Sequence, residues 1–203
     1  MSDEATGLRE RRRARTRRAI QEHAMRLFLE RGYDATTVSD VAQAAEVSSM
    51  TVFRYFPTKE DLVLADEYDP LIADRIASRP AGQPLMRRLC EGLLLGVAGL
   101  SPADHRMLLD RLRLTLATPA LRARQWDHQY ATHKAIVEAL RGHQQDAEQE
   151  FRLWVSVGVC LSAASAALVR WAEQDGGPDL DDLMTRALAI VASATGEDLP
   201  DVR

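Results

Sequence analysis

Cysteine is nearly absent from this chain. Cys90 and Cys160 are the only two. A disulfide-stapled secreted module is thereby excluded, and because each lies in an apolar helical stretch, both are expected as free, buried thiols in a reducing cytoplasm. Aromatic residues make up only 5% of the chain, while Ala, Leu, Arg and Glu abound, so helices are favoured over sheets. No alternating strand pattern, internal repeat or low-complexity tract stands out. The basic N-terminus has no apolar segment behind it, so no secretory signal is expected. Leu153–Val169 is free of charge over 17 positions, short of the roughly 20 strongly apolar residues of a membrane span. It also carries Ser156, Gly158, Ser162 and Ser165, and the expectation is a buried helix with no membrane.

Catalytic patterns are missing too. His23, His105, His128, His133 and His143 show neither an i, i+4 pairing nor a His-x-Glu frame, so no metal site is expected. Gly92, Gly96 and Gly99 lack the order and preceding strand of a nucleotide-binding loop. With no G-x-S-x-G either, the chain reads as no enzyme and as holding no resident cofactor.

What is present begins with charge asymmetry. Residues 1–59 hold 11 Lys/Arg against 8 Asp/Glu, while the whole chain carries −4. The excess lies in Arg9, Arg11, Arg12, Arg13, Arg15, Arg17 and Arg18. Taken alone, such a run reads equally as a solvated tail; beside a DNA-reading motif it supplies phosphate contacts.

That motif follows at Thr36 to Leu62. Thr37, with Asp40 three residues on, caps a helix bearing Val38, Val41, Ala42 and Ala45. Glu46-Val47-Ser48 is a turn, and Ser48 caps a second helix, Ser49 to Phe56, with Val52 and Phe56 on one face. Pro57 ends it. Thr58, with Asp61 at N3, launches a third helix expected to run to about Ser78. Two helices around so short a turn form a helix-turn-helix.

Gly32-Tyr33, Thr36-Thr37-Val38, Val41-Ala42, Ala45, Val47-Ser48, Thr51-Val52-Phe53, Tyr55-Phe56 and Lys59-Glu60 resemble the N-terminal signature of the tetracycline-repressor (TetR) family over about residues 12 to 64. Glu46 departs from it, standing where the family usually has glycine at a turn position that tends to need positive φ; the cost is about 1 kcal/mol. The resemblance implies an all-α fold, with a three-helix head on a larger helical ligand-binding and dimerisation bundle. The expected division is a basic flexible arm over 1–11, the DNA-binding domain over 12–57 and the body over 58–203. Double-stranded DNA with a palindromic operator is the implied partner. The implied contacts are Arg17, Thr37, Ser48, Ser49, Met50, Thr51, Phe53, Arg54, Tyr55 and Lys59. Tyr55 and Lys59 are expected on phosphates, while Arg54 reads as either a base or a phosphate contact. Phe53, where the family commonly has tyrosine, is expected to pack more than to touch DNA. For the serines and Thr51, capping alone is the other reading.

Further helices are expected from about Arg12 to Arg31, Leu85 to Leu100, Ser101-Pro102 onward, Thr118-Pro119 to Leu140, Ala147 to Glu173, and Leu180 to Val191. Gly142 to Gln145 is expected as a loop. The last two helices are implied to form a homodimer interface through Gly158, Ser162, Ala166, Leu183, Ala187 and Val191, although a plain intramolecular core explains their apolarity as well. A small-molecule effector is implied for the body, with Met107, Leu112, Arg113, Trp126, Tyr130, Trp154 and Cys160 as candidates. Each aromatic, Met or Cys among them also reads as core, and Arg113 also reads as a surface residue whose stem covers apolar groups. Phe53-Arg54-Tyr55-Phe56-Pro57 followed by Asp66-Glu67-Tyr68-Asp69 resembles a branch with hydrophobic, acyl-CoA-like effectors. The helix from Thr58 is expected as the sole mechanical link between head and body, through which a ligand near Asp66 to Ile76 shifts the spacing of two recognition helices. The other readings are regulation by a protein partner, activation instead of repression, and an enzyme with a coincidental helix-turn-helix.

Overall fold

The computed structural model describes residues 2–65, 68–141 and 146–194, and among them all regular structure is helical. The order is α1 (Ser2–Arg31), α2 (Val38–Ala44), α3 (Ser49–Tyr55), α4 (Asp61–Leu64), α5 (Tyr68–Ala77), α6 (Leu85–Val97), α7 (Pro102–Ala117), α8 (Pro119–Leu140), α9 (Ala147–Glu173) and α10 (Leu180–Ala194). The expected loop at Gly142 to Gln145, the acidic pair Asp66-Glu67 and the polar tail after residue 194 lie outside the described residues.

The chain divides into two compact units. One is Met1–Ala65 with Leu114–Gln125; the other is Asp66–Arg113 with Trp126–Arg203. In the first, α1 buries Ile20, Ala24, Leu27 and Phe28, and the short helices bury Val41, Ala42, Val52, Phe56 and Leu62. In the second, α6 contributes Leu89, Cys90 and Leu93, α9 contributes Leu153, Val157, Cys160 and Ala164, and α10 contributes Met184 and Leu188 to one apolar core. By length and composition α9 could cross a membrane, yet it presses six residues into this core, packed on α6 and α10.

The capping signals act as their residue types dictate. Ser101 and Asp104 bond reciprocally, Ser101 Oγ donating to Asp104 Oδ2 at 2.7 Å while Asp104 N–H donates to Ser101 Oγ at 3.2 Å. Asp146 caps α9, accepting from Gln149 N–H at 2.8 Å.

Three expectations need correction. Helix α1 starts at Ser2 rather than Arg12. The composition of residues 2–11 (one Gly, no Pro) does nothing to stop it. The helix expected from Thr58 to Ser78 is two helices. Thr58 and Asp61 do exchange capping bonds, at 2.9 and 3.3 Å, but α4 ends after four residues, where Ala65 is extended (φ −70°, ψ 113°). Buried Gln21 explains part of this stop: its Nε2 donates to the carbonyls of Leu62 and Ala65, at 3.3 and 2.9 Å. Those are helix-terminal acceptors that would otherwise lack a partner. Nor is this segment the sole link, because the chain passes between the units at 65/66, 113/114 and 125/126.

Helices α5 and α6 approach so closely that a Cβ on Gly92 would overlap Ile76 Cγ1 and lie 3.0 Å from the Ile76 Cα. Only glycine fits there. Gly92→Ala should therefore destabilise the protein by about 1–3 kcal/mol through overpacking; a denaturant midpoint equal to wild type would contradict this close approach.

Candidate DNA-binding face

The face is built by burying one side of α3. Val52 and Phe56 are fully buried, so residues 50, 53 and 54, which share the opposite side at i, i+3 and i+4, must point outward. Met50 is 77% exposed and Phe53 45% exposed, and Arg54 is exposed beside them. For Phe53 this corrects the expectation of packing: its ring belongs to the outer face.

Both N-caps form as expected. Thr37 N–H donates to Asp40 Oδ2 at 2.8 Å and Asp40 N–H to Thr37 Oγ1 at 3.1 Å. The bonds from Thr37 hold the Asp40 carboxyl below its ordinary value. Ser48 Oγ accepts from Thr51 N–H at 3.1 Å and lies 2.9 Å from Thr51 Oγ1. Thr51 is therefore committed to the cap, Ser49 is half-buried, and the freest side chains of the recognition helix are Met50, Phe53 and Arg54.

Lys59 proves to be an internal tie. Its Nζ donates to the Tyr33 carbonyl at 2.6 Å and sits 4.1 Å from the Tyr33 ring centroid. Tyr33 OH in turn donates to Glu60 Oε1 at 3.1 Å. Burial first, then the Glu60 carboxylate, pushes the Tyr33 phenol well above its ordinary value, so it stays protonated as a donor. Tyr33 and Gln21 thus anchor the head, a role not predicted because their partners lie 26 to 44 residues away.

Arginines gather on the neighbouring surface. Arg9, Arg12, Arg13 and Thr16 of α1, with Arg54 and Tyr55 of α3, line an open cleft of about 470 Å³. Among the described residues no carboxylate lines it. Arg54 also stacks over Tyr55, 5.4 Å from its ring centroid. A second cleft of about 350 Å³ runs from Arg12 and Arg15 to Ala45 and Val47 in the turn. Arg17 is set apart, its guanidinium 4.9 Å from the Phe56 ring centroid and its Nε buried. It supports α3 from beneath.

Glu46 has φ +54°, as its place in the turn requires.

The effector candidates do not converge. Cys160 lies in the core, its Sγ 3.1 Å from Met86 Sδ, and a hydrogen bond with Cys90 followed by burial pushes its thiol up. Trp126 is 72% exposed. Tyr130 is also exposed, with Trp154 at 5.9 Å between ring centroids. Arg113 pairs with Asp175 at 2.6 Å rather than standing free for an anion. Met107 and Leu112 are half-buried on α7, Leu112 against the main core.

Of the interface candidates, Gly158 faces inward: a Cβ there would lie 3.1 Å from His133 Cε1. His133 Nε2 bonds to the Trp154 carbonyl at 2.9 Å and its ring stacks on that indole at 4.2 Å; burial lowers the imidazole below its ordinary value. Leu183, Ala187 and Val191 are half-buried against the core. Ser162 and Ala166 are exposed, continuing a stripe of exposed Phe151, Val155 and Val159 along α9, with Ile190 exposed on α10. That stripe escaped prediction because its spacing also suits a core face.

A capped two-helix reader with a basic flank defines a helix-turn-helix DNA-binding protein. The family model of bacterial regulatory proteins of the tetR family matches residues 20–65, and that of the MftR C-terminal domain matches residues 83–196. The HTH-type transcriptional regulator TcmR of Streptomyces glaucescens is 30% identical over 176 residues, covering 81% of this chain and 76% of that one. A TetR-family regulator from Streptomyces coelicolor superposes with a TM-score of 0.59 at 22% identity, over 91% of this chain and 96% of its own. FadR of Thermus thermophilus, solved in complex with lauroyl-CoA, does so at 0.52 and 24% identity, over 92% and 97%. The chain belongs to the TetR family and is a DNA-binding transcriptional regulator.

Replacing Glu46 by glycine removes the left-handed strain and should stabilise the protein by about 1 kcal/mol, raising Tm by roughly 2–4 °C. A lowered Tm would show that the Glu46 side chain contributes more than its backbone costs.

Proposed function

We propose that the protein is a homodimeric repressor that grips a palindromic operator and leaves it when a hydrophobic, acyl-CoA-like effector binds. The observation that carries this reading is the outward face of α3 beside the arginine-lined cleft. Four guanidiniums line this cleft with no carboxylate among the described lining residues; they repel one another until an anion enters, and a DNA backbone supplies regularly spaced phosphates. In this reading Met50 and Phe53 meet base edges through apolar contact, for example thymine methyls. Arg54 with Arg9, Arg12 and Arg13 holds phosphates, and Thr37, Ser48, Ser49, Thr51, Tyr55 and Lys59 position the head.

A single head reads too few base pairs for useful specificity, which supports a dimer. The exposed α9 stripe, with Ser162 and Ala166 extending it, is the surface we assign to the second copy. The lauroyl-CoA of the Thermus relative supports the effector class. Release follows if the effector binds a conformation that fits the operator poorly better than the one that fits it, since a ligand shifts populations only by its differential affinity for the two. With three chain crossings between the units, the shift need not travel through α4 and α5 alone.

Operator binding measured against salt tests the phosphate assignment. Arg12→Gln/Arg13→Gln should lower the slope of log K on log[salt] by roughly 1–2 and weaken binding to all sequences alike. An unchanged slope would remove the cleft from the interface, and failure of long-chain acyl-CoA to release the wild type would remove that effector class. Val159→Glu, at an exposed position, should give a folded monomer by sedimentation that has lost tight operator binding; a variant that remains dimeric would place the interface elsewhere.

A further inference from the structure

We infer that Met86, Cys90 and Cys160 form a buried binding site for the thiophilic cation Cu(I). Met86 and Cys90 lie one turn apart on α6, and Cys160 reaches them from α9. The Cys160 Sγ is 3.1 Å from Met86 Sδ, and Cys160 is hydrogen-bonded to Cys90. Both cysteines have no exposed surface and Met86 almost none. Three sulfurs from two helices therefore converge inside an apolar core of Leu89, Leu93 and Val157.

The donor set selects the ion. Thiolate and thioether are soft ligands that favour Cu(I), whereas carboxylate and carbonyl favour hard cations. Structural zinc takes four ligands, and among the described residues no His, Asp or Glu joins these cysteines in a metal-holding group. Three sulfurs suit Cu(I), which is satisfied by two or three ligands. On loading, two S–H bonds break, two Cu–S(thiolate) bonds form, and two protons pass to solvent. The Met86 lone pair completes the site without proton loss, and no electron is transferred. The ion so held ties α6 to α9, giving the regulator a metal input separate from the operator face.

Anaerobic titration of the full-length protein with Cu(I) held by a chromophoric bicinchoninate chelator tests the site. Wild type should withdraw one Cu(I) per chain and melt at a higher temperature when loaded. Cys90→Ala and Cys160→Ala should each abolish this uptake. Met86→Leu, which keeps the apolar volume, should weaken it by at least about tenfold, in line with losses seen for metal-site partners. Wild type that withdraws no copper would overturn the proposal. So would Met86→Leu binding as tightly as wild type, a variant that decides the matter even if the cysteine variants fail to fold.

Discussion

The head depends on one constraint: α3 buries one side, that of Val52 and Phe56, against the rest of the head. With Val52 and Phe56 packed at zero exposure beneath α3, Met50, Phe53 and Arg54 have nowhere to go but outward. Everything that makes α3 a reader follows from that. The Ser48 side chain satisfies the N–H of Thr51, Pro57 follows the extended Phe56 at which α3 stops, and the Arg17 guanidinium lies over the Phe56 ring. Specific chemistry at the surface is thus a by-product of apolar burial beneath it.

Around α3 the head is held by contacts between residues far apart in the chain. Lys59, Tyr33 and Glu60 tie the loop after α1 to the turn after α3. Gln21 closes the end of α4. These bonds are buried or half-buried, where leaving a donor or acceptor unmet costs about 1–3 kcal/mol each. In the body, α6, α9 and α10 form the apolar centre, and Gly92 marks where α5 and α6 approach too closely for a side chain.

Much was legible before any coordinates. Thr37–Asp40, Ser48, Ser101–Asp104 and the i, i+4 pairs of α1 and α3 are short-range signals, and they operate locally whatever the tertiary context. The break at Ala65 was not legible, since part of its cause is Gln21, 44 residues earlier. Phe53 was misassigned because an aromatic next to Val52 suits either side of a helix until the neighbours are placed. The same ambiguity scattered the effector candidates. Trp126 and Cys160 are equally apolar in sequence, yet one is in solvent and the other in the core.

By itself the sequence determined the helical class, the helix-turn-helix, the basic flank and the strained turn at Glu46, because capping, periodicity and proline act within a few residues. Only tertiary structure decided which side of α3 faces out, that Lys59 serves Tyr33, that the arginines of α1 share a cleft with Arg54, and that three sulfurs meet between α6 and α9. Such facts depend on packing between segments tens of residues apart, which no local pattern encodes.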